Sequence, residues 1–218
     1  ENKINYYLKK ANNAAKCIED NKIILTGILP SIRKKDANIK NMTPLDRYRT
    51  INNALTTMRG DDFKMLIKGV DELYIKSKSI LFESFNTSFQ VHLQIPLNEI
   101  IDKYNWAQMI AGPVLSIISN SPLLLGRELW SETRIAVFQQ SIDTRNVSKA
   151  LKNQPPRVSF GEGWVEGSMA DILKNEIARH KIILAKDVDE NALEVLKNGG
   201  VPKLRAANLY NGTLYHWN

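Results

Sequence analysis

Over residues 85–95 the chain alternates. Phe85, Phe89, Val91, Leu93 and Ile95 are apolar, and Asn86, Ser88, Gln90, His92 and Gln94 between them are polar. A period of two predicts a strand that buries one row and turns the other outward. Two readings of the outward row stand: an ordinary half-exposed strand with a surface histidine, or a face of directional donors and acceptors able to hold a polar ligand. Upstream, Tyr7, Leu8, Ala11, Ala15 and Ile18 predict a helix over residues 4–20. The apolar run 23–29, stopped by Pro30, predicts a buried strand. Thr43 and Pro44 read as the cap and first residue of a helix that runs to about Arg59 and closes at Gly60. Residues 63–75 read as strand and turn. Apolar positions from Leu97 to Ile118 predict a long helix, bent at Pro113 and buried in its second half. Helices over 128–140, 168–174, 176–185 and 191–197 follow, with a loop over 143–167. An Asn211-Gly212 turn predicts a closing strand over 213–217.

Composition narrows the classes. With 218 residues, 43% hydrophobic and 24% charged, the chain can bury a real core and is not of disordered type. The net charge of +7 invites a nucleic-acid reading, but the basic residues are scattered and Arg33-Lys34-Lys35 is the one tight cluster. Without an accompanying recognition motif, the expectation is no nucleic-acid partner; a basic surface suits anionic small molecules equally well. The single cysteine, Cys17, excludes a disulfide framework and a multi-cysteine zinc site, and fits a reducing, cytoplasmic setting. The apolar run at 109–118 is too short to span a bilayer. The chain opens on Glu1 without a signal peptide, so a piece of something longer is expected. Glycines 161, 163 and 167 lack the spacing of a dinucleotide fingerprint, and neither a P-loop nor a Gly-x-Ser-x-Gly elbow occurs. Glu176 and His180, four apart, read as a helical pair rather than a metal site, and His216 as a packing or rim residue.

An ordered set of motifs adds more. Asp46-Arg47-Tyr48 comes first, then Ser88-Phe89-Gln90-Val91-His92-Leu93. Ser119-Asn120-Ser121-Pro122-x-x-x-Gly126-Arg127 and Ser131-x-x-Arg134 follow, then Phe160-Gly161 and Asn211-Gly212-Thr213-x-Tyr215-x-Trp217. This set resembles the glutamate-cysteine ligase family 2 group of carboxylate-amine ligases, over roughly residues 24–218. The resemblance implies an α+β fold of glutamine synthetase/glutamate-cysteine ligase type, a mainly antiparallel curved sheet with helices packed behind it. Residues 1–218 would be a single, partial catalytic domain. It implies an ATP-dependent ligase that joins the glutamate side-chain carboxylate to cysteine or another small amine through an acyl phosphate. Magnesium would be the metal and glutathione biosynthesis the setting. Carried over by position, Arg47 and Arg134 hold glutamate, and Ser88 and Gln90 face the substrate. Arg127 reaches a phosphate or carboxylate, His92 contacts ATP or metal, and Glu83 is the nearest carboxylate for a metal. The family's early Glu-x-Glu strand is not visible in this sequence. A fragment inactive by itself, or a non-catalytic binding or regulatory module on the ligase fold, is therefore the competing expectation.

Overall fold

The computed structural model describes residues 2–145, 155–161 and 163–213. They form helices and two small antiparallel sheets, an α+β arrangement. The centre is the hairpin β1 (Phe63–Lys68) and β2 (Glu72–Ser77), in register from Phe63 opposite Ser77 to Lys68 opposite Glu72. Strict alternation sends Phe63, Met65 and Ile67 of β1 and Leu73 and Ile75 of β2 to one face. Met65, Ile67, Leu73 and Ile75 pack with Ile28, Phe82, Phe85, Leu124, Leu129, Ala136 and Val137 into the main core; Phe63 joins Leu55 and Ile80 in a smaller one. The hairpin turn is glycine for a steric reason, since a Cβ on Gly69 would lie 2.4–2.5 Å from the backbone of Leu129.

In the sequence, α1 (Asn2–Glu19) and α2 (Asp46–Arg59) precede this hairpin, and α3 (Ile100–Ile118), a second hairpin of β3 (Leu123–Leu124) and β4 (Arg127–Glu128), and α4 (Thr133–Ser141), which packs on β1, follow it. The chain continues through α5 (Met169–Arg179), α6 (Ala192–Lys197) and α7 (Arg205–Thr213). Helix α2 ends as its sequence demands, on Gly60 at φ 66° with its N–H on the Thr56 carbonyl. Its start differs from expectation: Thr43 and Pro44 form a turn before it, and the capping position is Leu45. Among the described residues no helix is long and apolar enough to cross a membrane.

Five sequence expectations are corrected. Residues 86–96 belong to no strand; Phe85 closes a 3-10 turn and is buried, while Phe89, Val91 and Leu93 are 82%, 71% and 68% exposed. Residues 23–29 are likewise unpaired, and of their apolar side chains Ile28 reaches the core while Ile23, Ile24, Leu25 and Leu29 are exposed. Alternation states which side chains a strand would bury once paired; it does not supply the pairing partner. The second half of α3 is not buried: Ile117 is 83% exposed. The sheets described are two-stranded, without the expected curved sheet. One local reason is visible at β1, where the Gln140 side chain of α4 accepts from the Leu66 N–H at 2.7 Å and donates to its carbonyl at 3.0 Å, occupying the strand edge. At the C-terminal end, Asn211, Gly212 and Thr213 lie in α7 rather than in a turn, and Tyr215, His216 and Trp217 lie outside the described residues.

Candidate functional site

The β3–β4 hairpin explains the spacing of one motif. Leu125 and Gly126 at its tip have φ of 54° and 76°, the double positive φ that closes a two-residue hairpin with the right twist. The strands bring residues 120–122 alongside 129–133. Leu129 N–H donates to the Pro122 carbonyl at 2.9 Å, Ser121 N–H to Ser131 at 3.1 Å, and Thr133 N–H back to Ser121 at 3.1 Å. Ser121 and Glu132, eleven residues apart, thereby meet and join the two motifs at the point where α4 begins.

Arg134 sits there. Its Nε donates to Glu132 Oε1 at 2.5 Å and its Nη2 to Glu132 Oε2 at 2.9 Å, a side-on fork. Its Nη1 donates to the Thr87 carbonyl. Thr87 in turn donates its N–H to the Gly27 carbonyl at 2.9 Å, so the segments 23–29 and 86–96 meet at this point. Asn86 Nδ2 reaches the Arg134 carbonyl at 3.5 Å, and the Oδ1 of that asparagine is buried without a donor among the described residues. Gly27 is steric in the same sense as Gly69: a Cβ would stand 2.5 Å from Asn120 Oδ1, 2.8 Å from Arg134 Nε and 2.9 Å from Ser121 Cβ.

Glu132 is the buried member, 6% exposed, and Ser121 Oγ and the Asn120 N–H also donate to it. Burial pushes its carboxyl up, but the hydrogen bonds from Arg134 and Ser121 and the charge of Arg134 outweigh that and hold it below its ordinary value. Arg134 is raised by the same hydrogen bond, against the opposing effect of burial. The pair is a fixed ion pair whose guanidinium side chain remains 23% exposed.

The other expected site residues fall elsewhere. Arg47 and Glu83 share a cleft of 340 Å³ with Tyr48, Ile51, Leu184 and Gly212. Arg47 lies over the Tyr48 ring, 4.7 Å from its centroid, with Nη2 3.0 Å from the phenol oxygen. Burial raises the Glu83 carboxyl above its ordinary value. Ser88, Gln90 and His92 are exposed on the unpaired segment that leads away from Thr87. Arg127 is exposed on β4, and no hydrogen bond or ion pair joins it to Arg134 among the described residues. A larger cleft of 680 Å³ takes in Tyr104, Phe160, Trp164, Glu176 and His180. Glu176 and His180 are linked there through the backbone, His180 N–H on the Glu176 carbonyl at 2.9 Å.

A magnesium site needs several hard oxygens close together. The described residues do not fit one: no three His, Cys, Asp or Glu side chains stand together, and Glu83 is held toward its protonated form. What the sequence did not single out is Glu132, Thr87 and Gly27, and Ser121 stood in its motif without a role. A carboxylate two residues before an arginine reads as a surface ion pair until its burial is known.

The α+β frame carries a guanidinium fixed by Glu132 and Thr87 at the start of α4. The family model for glutamate-cysteine ligase family 2 matches residues 12–205, and the chain belongs to that family, which places it among ligase-type enzymes. No curated protein and no solved structure matches it.

Proposed function

We propose that the protein is an ATP-dependent carboxylate-amine ligase that joins the side-chain carboxylate of glutamate to a small amine, cysteine first among the candidates. The terminal phosphoryl group of ATP passes to a carboxylate oxygen and ADP leaves. The amine nitrogen then attacks the acyl carbon, gives up a proton and expels phosphate. The observation that carries this reading is the family match over residues 12–205. The Arg134 geometry supports it. Three of the five guanidinium N–H groups are taken by Glu132 and Thr87, so one remains on each terminal nitrogen, a pair suited to a carboxylate. In this proposal Arg134 holds glutamate, Arg47 is a second cationic contact, and Ser88 and Gln90 line the substrate path. Arg127 and His92 serve the ATP phosphates. A cytoplasmic setting belongs to the same proposal. No step is assigned to a metal held by Glu83.

The test is glutamate-dependent phosphate release from ATP by the full-length protein, with cysteine and then other amines, coupled to detection of the amide product. Silence with every acceptor refutes the ligase and favours a binding module. Arg134→Lys keeps the charge for Glu132 and removes the fork, so it is a cleaner variant than Arg134→Ala, which strands a buried carboxylate. Losing one charge-assisted bond of about 1.5–3 kcal/mol should raise the glutamate KM roughly 10- to 150-fold. An unchanged KM removes Arg134 from the site.

A further inference from the structure

We infer that Glu132 is the positioning residue of this site: it fixes the orientation of the Arg134 guanidinium and takes no ligand itself. The inference rests on the ligase reading for the identity of the anion that Arg134 meets, and on geometry for the rest.

A carboxylate offers about four lone-pair sites. On Glu132 four donors occupy them. Ser121 Oγ and Arg134 Nε reach Oε1; the Asn120 N–H at 3.3 Å and Arg134 Nη2 at 2.9 Å reach Oε2. The group is also buried. Neither a substrate ammonium nor a proton in transit finds a vacant oxygen there, which separates Glu132 from a general base or an amine ligand. Its remaining consequence is mechanical. A long arginine on an open surface samples many rotamers, and ordering it costs free energy on each binding event. Here two parallel bonds to Glu132 and one to the Thr87 carbonyl set the guanidinium plane before any ligand arrives. Glu132 is itself anchored by Ser121 and Asn120, on the far side of the β3–β4 hairpin from α4. The hairpin therefore transmits its rigidity to the guanidinium.

Two readouts on the full-length protein test this. The first is the 15N–1H signal of Arg134 Nε, which reports its hydrogen bond and needs no substrate. In the wild type it should persist with slow solvent exchange; Glu132→Gln, which puts an amide where a second acceptor was, should broaden it or speed its exchange about tenfold or more. The second is steady-state kinetics. Glu132→Gln should raise the glutamate KM about tenfold while kcat stays within about twofold, because binding geometry is disturbed and the chemical step is not. Glu132→Asp, which keeps the charge on a shorter arm, should fall between the two. Should Glu132→Gln not fold, Ser121→Ala removes one of the four anchors and keeps the carboxylate; a smaller KM rise of about two- to fivefold is expected, with the Nε–H signal shifted. An unchanged Arg134 signal and KM overturn the inference, as does a collapse of kcat at constant KM, which would make Glu132 a participant in the chemistry. Absence of glutamate-dependent turnover in the wild type would refute the ligase reading, while the Arg134 signal would still decide the role of Glu132.

Discussion

Gly27→Ala tests whether the polar cluster is as tightly built as its distances state. The added methyl carbon would lie 2.5 Å from Asn120 Oδ1, 2.8 Å from Arg134 Nε and 2.9 Å from Ser121 Cβ. Gly27 is not among the glycines with positive φ, so alanine is acceptable to the backbone and the cost is steric. Ser121 is buried and bonded to Glu132, and Arg134 is pinned by the same carboxylate, so neither yields freely. Overpacking of this kind costs about 1–3 kcal/mol. Displacement of the Gly27 carbonyl also endangers the Thr87 hydrogen bond, a further ~1 kcal/mol. Against these stands a gain of about 0.4–1 kcal/mol from the stiffer unfolded chain. The net is a loss of about 2 kcal/mol, or roughly 1 M in urea midpoint at about 2 kcal/mol per molar. Equilibrium unfolding followed by tryptophan fluorescence measures it. Gly112→Ala is the control of opposite sign. It sits inside α3 with nothing within 4 Å of its would-be Cβ, and should gain about 0.5–1 kcal/mol. If Gly27→Ala unfolds at or above the wild-type midpoint, the cluster is looser than described and the case for a pre-set Arg134 falls with it.

Two further expectations concern groups away from Arg134. Burial raises the Glu83 carboxyl, so the folded protein binds that proton more tightly than the unfolded chain; the group's stabilising contribution is full below the unfolded value of about 4.3 and is lost as pH rises through the folded value. Glu83→Gln should therefore raise Tm at pH 7 and leave it close to wild type at pH 4; an equal difference at both pH values refutes this. Asn105 of α3 clips Val165 by both backbone groups, Nδ2 to its carbonyl and Oδ1 from its N–H, each at 2.9 Å. Asn105→Ala should speed exchange of the Val165 amide about tenfold, at about 1 kcal/mol per lost bond; unchanged exchange would show that the clip does not hold the segment.

The elements legible in the sequence were those whose signals are local. Helix α2 announced its end with Gly60, residues 63–75 read as strand and turn where the β1–β2 hairpin lies, α3 showed helical spacing, and α6 falls on the short helix expected over 191–197. The misread elements turned on partners or on competing signals. Residues 85–95 alternate as well as β1 does, yet β1 has β2 to pair with, and the later segment makes its one described ladder-like bond at Thr87. The Asn211-Gly212 pair, a turn signal between strands, falls in the last turn of α7, where a glycine is equally at home at a helix terminus. The extent of burial of α3 was overread for a related reason: an apolar stripe shows what a helix can cover, and Ile117 and Val114 remain exposed.

The site was half legible, and the division follows from geometry. Arg134 was singled out through its motif, with Asn120 and Ser121 noted as part of the same pattern but given no role. The structure shows why the pattern needs its spacing. Residues 120–122 must turn through β3, two positive-φ residues and β4 to come back against 129–133, and a period of two makes the register strict. One residue more or less in that hairpin would turn the Ser121 hydroxyl from Glu132 and uncouple the guanidinium from its anchors. Gly126 belongs to the pattern because it carries φ of 76° at the tip, beside a leucine forced to 54°. The Gly-Arg end of the motif thus has a structural reason in its glycine, while Arg127 gains no such reason from its exposed place on β4. The part of the motif on which the proposed glutamate contact depends is at its other end, where Asn120 and Ser121 brace the carboxylate that holds Arg134.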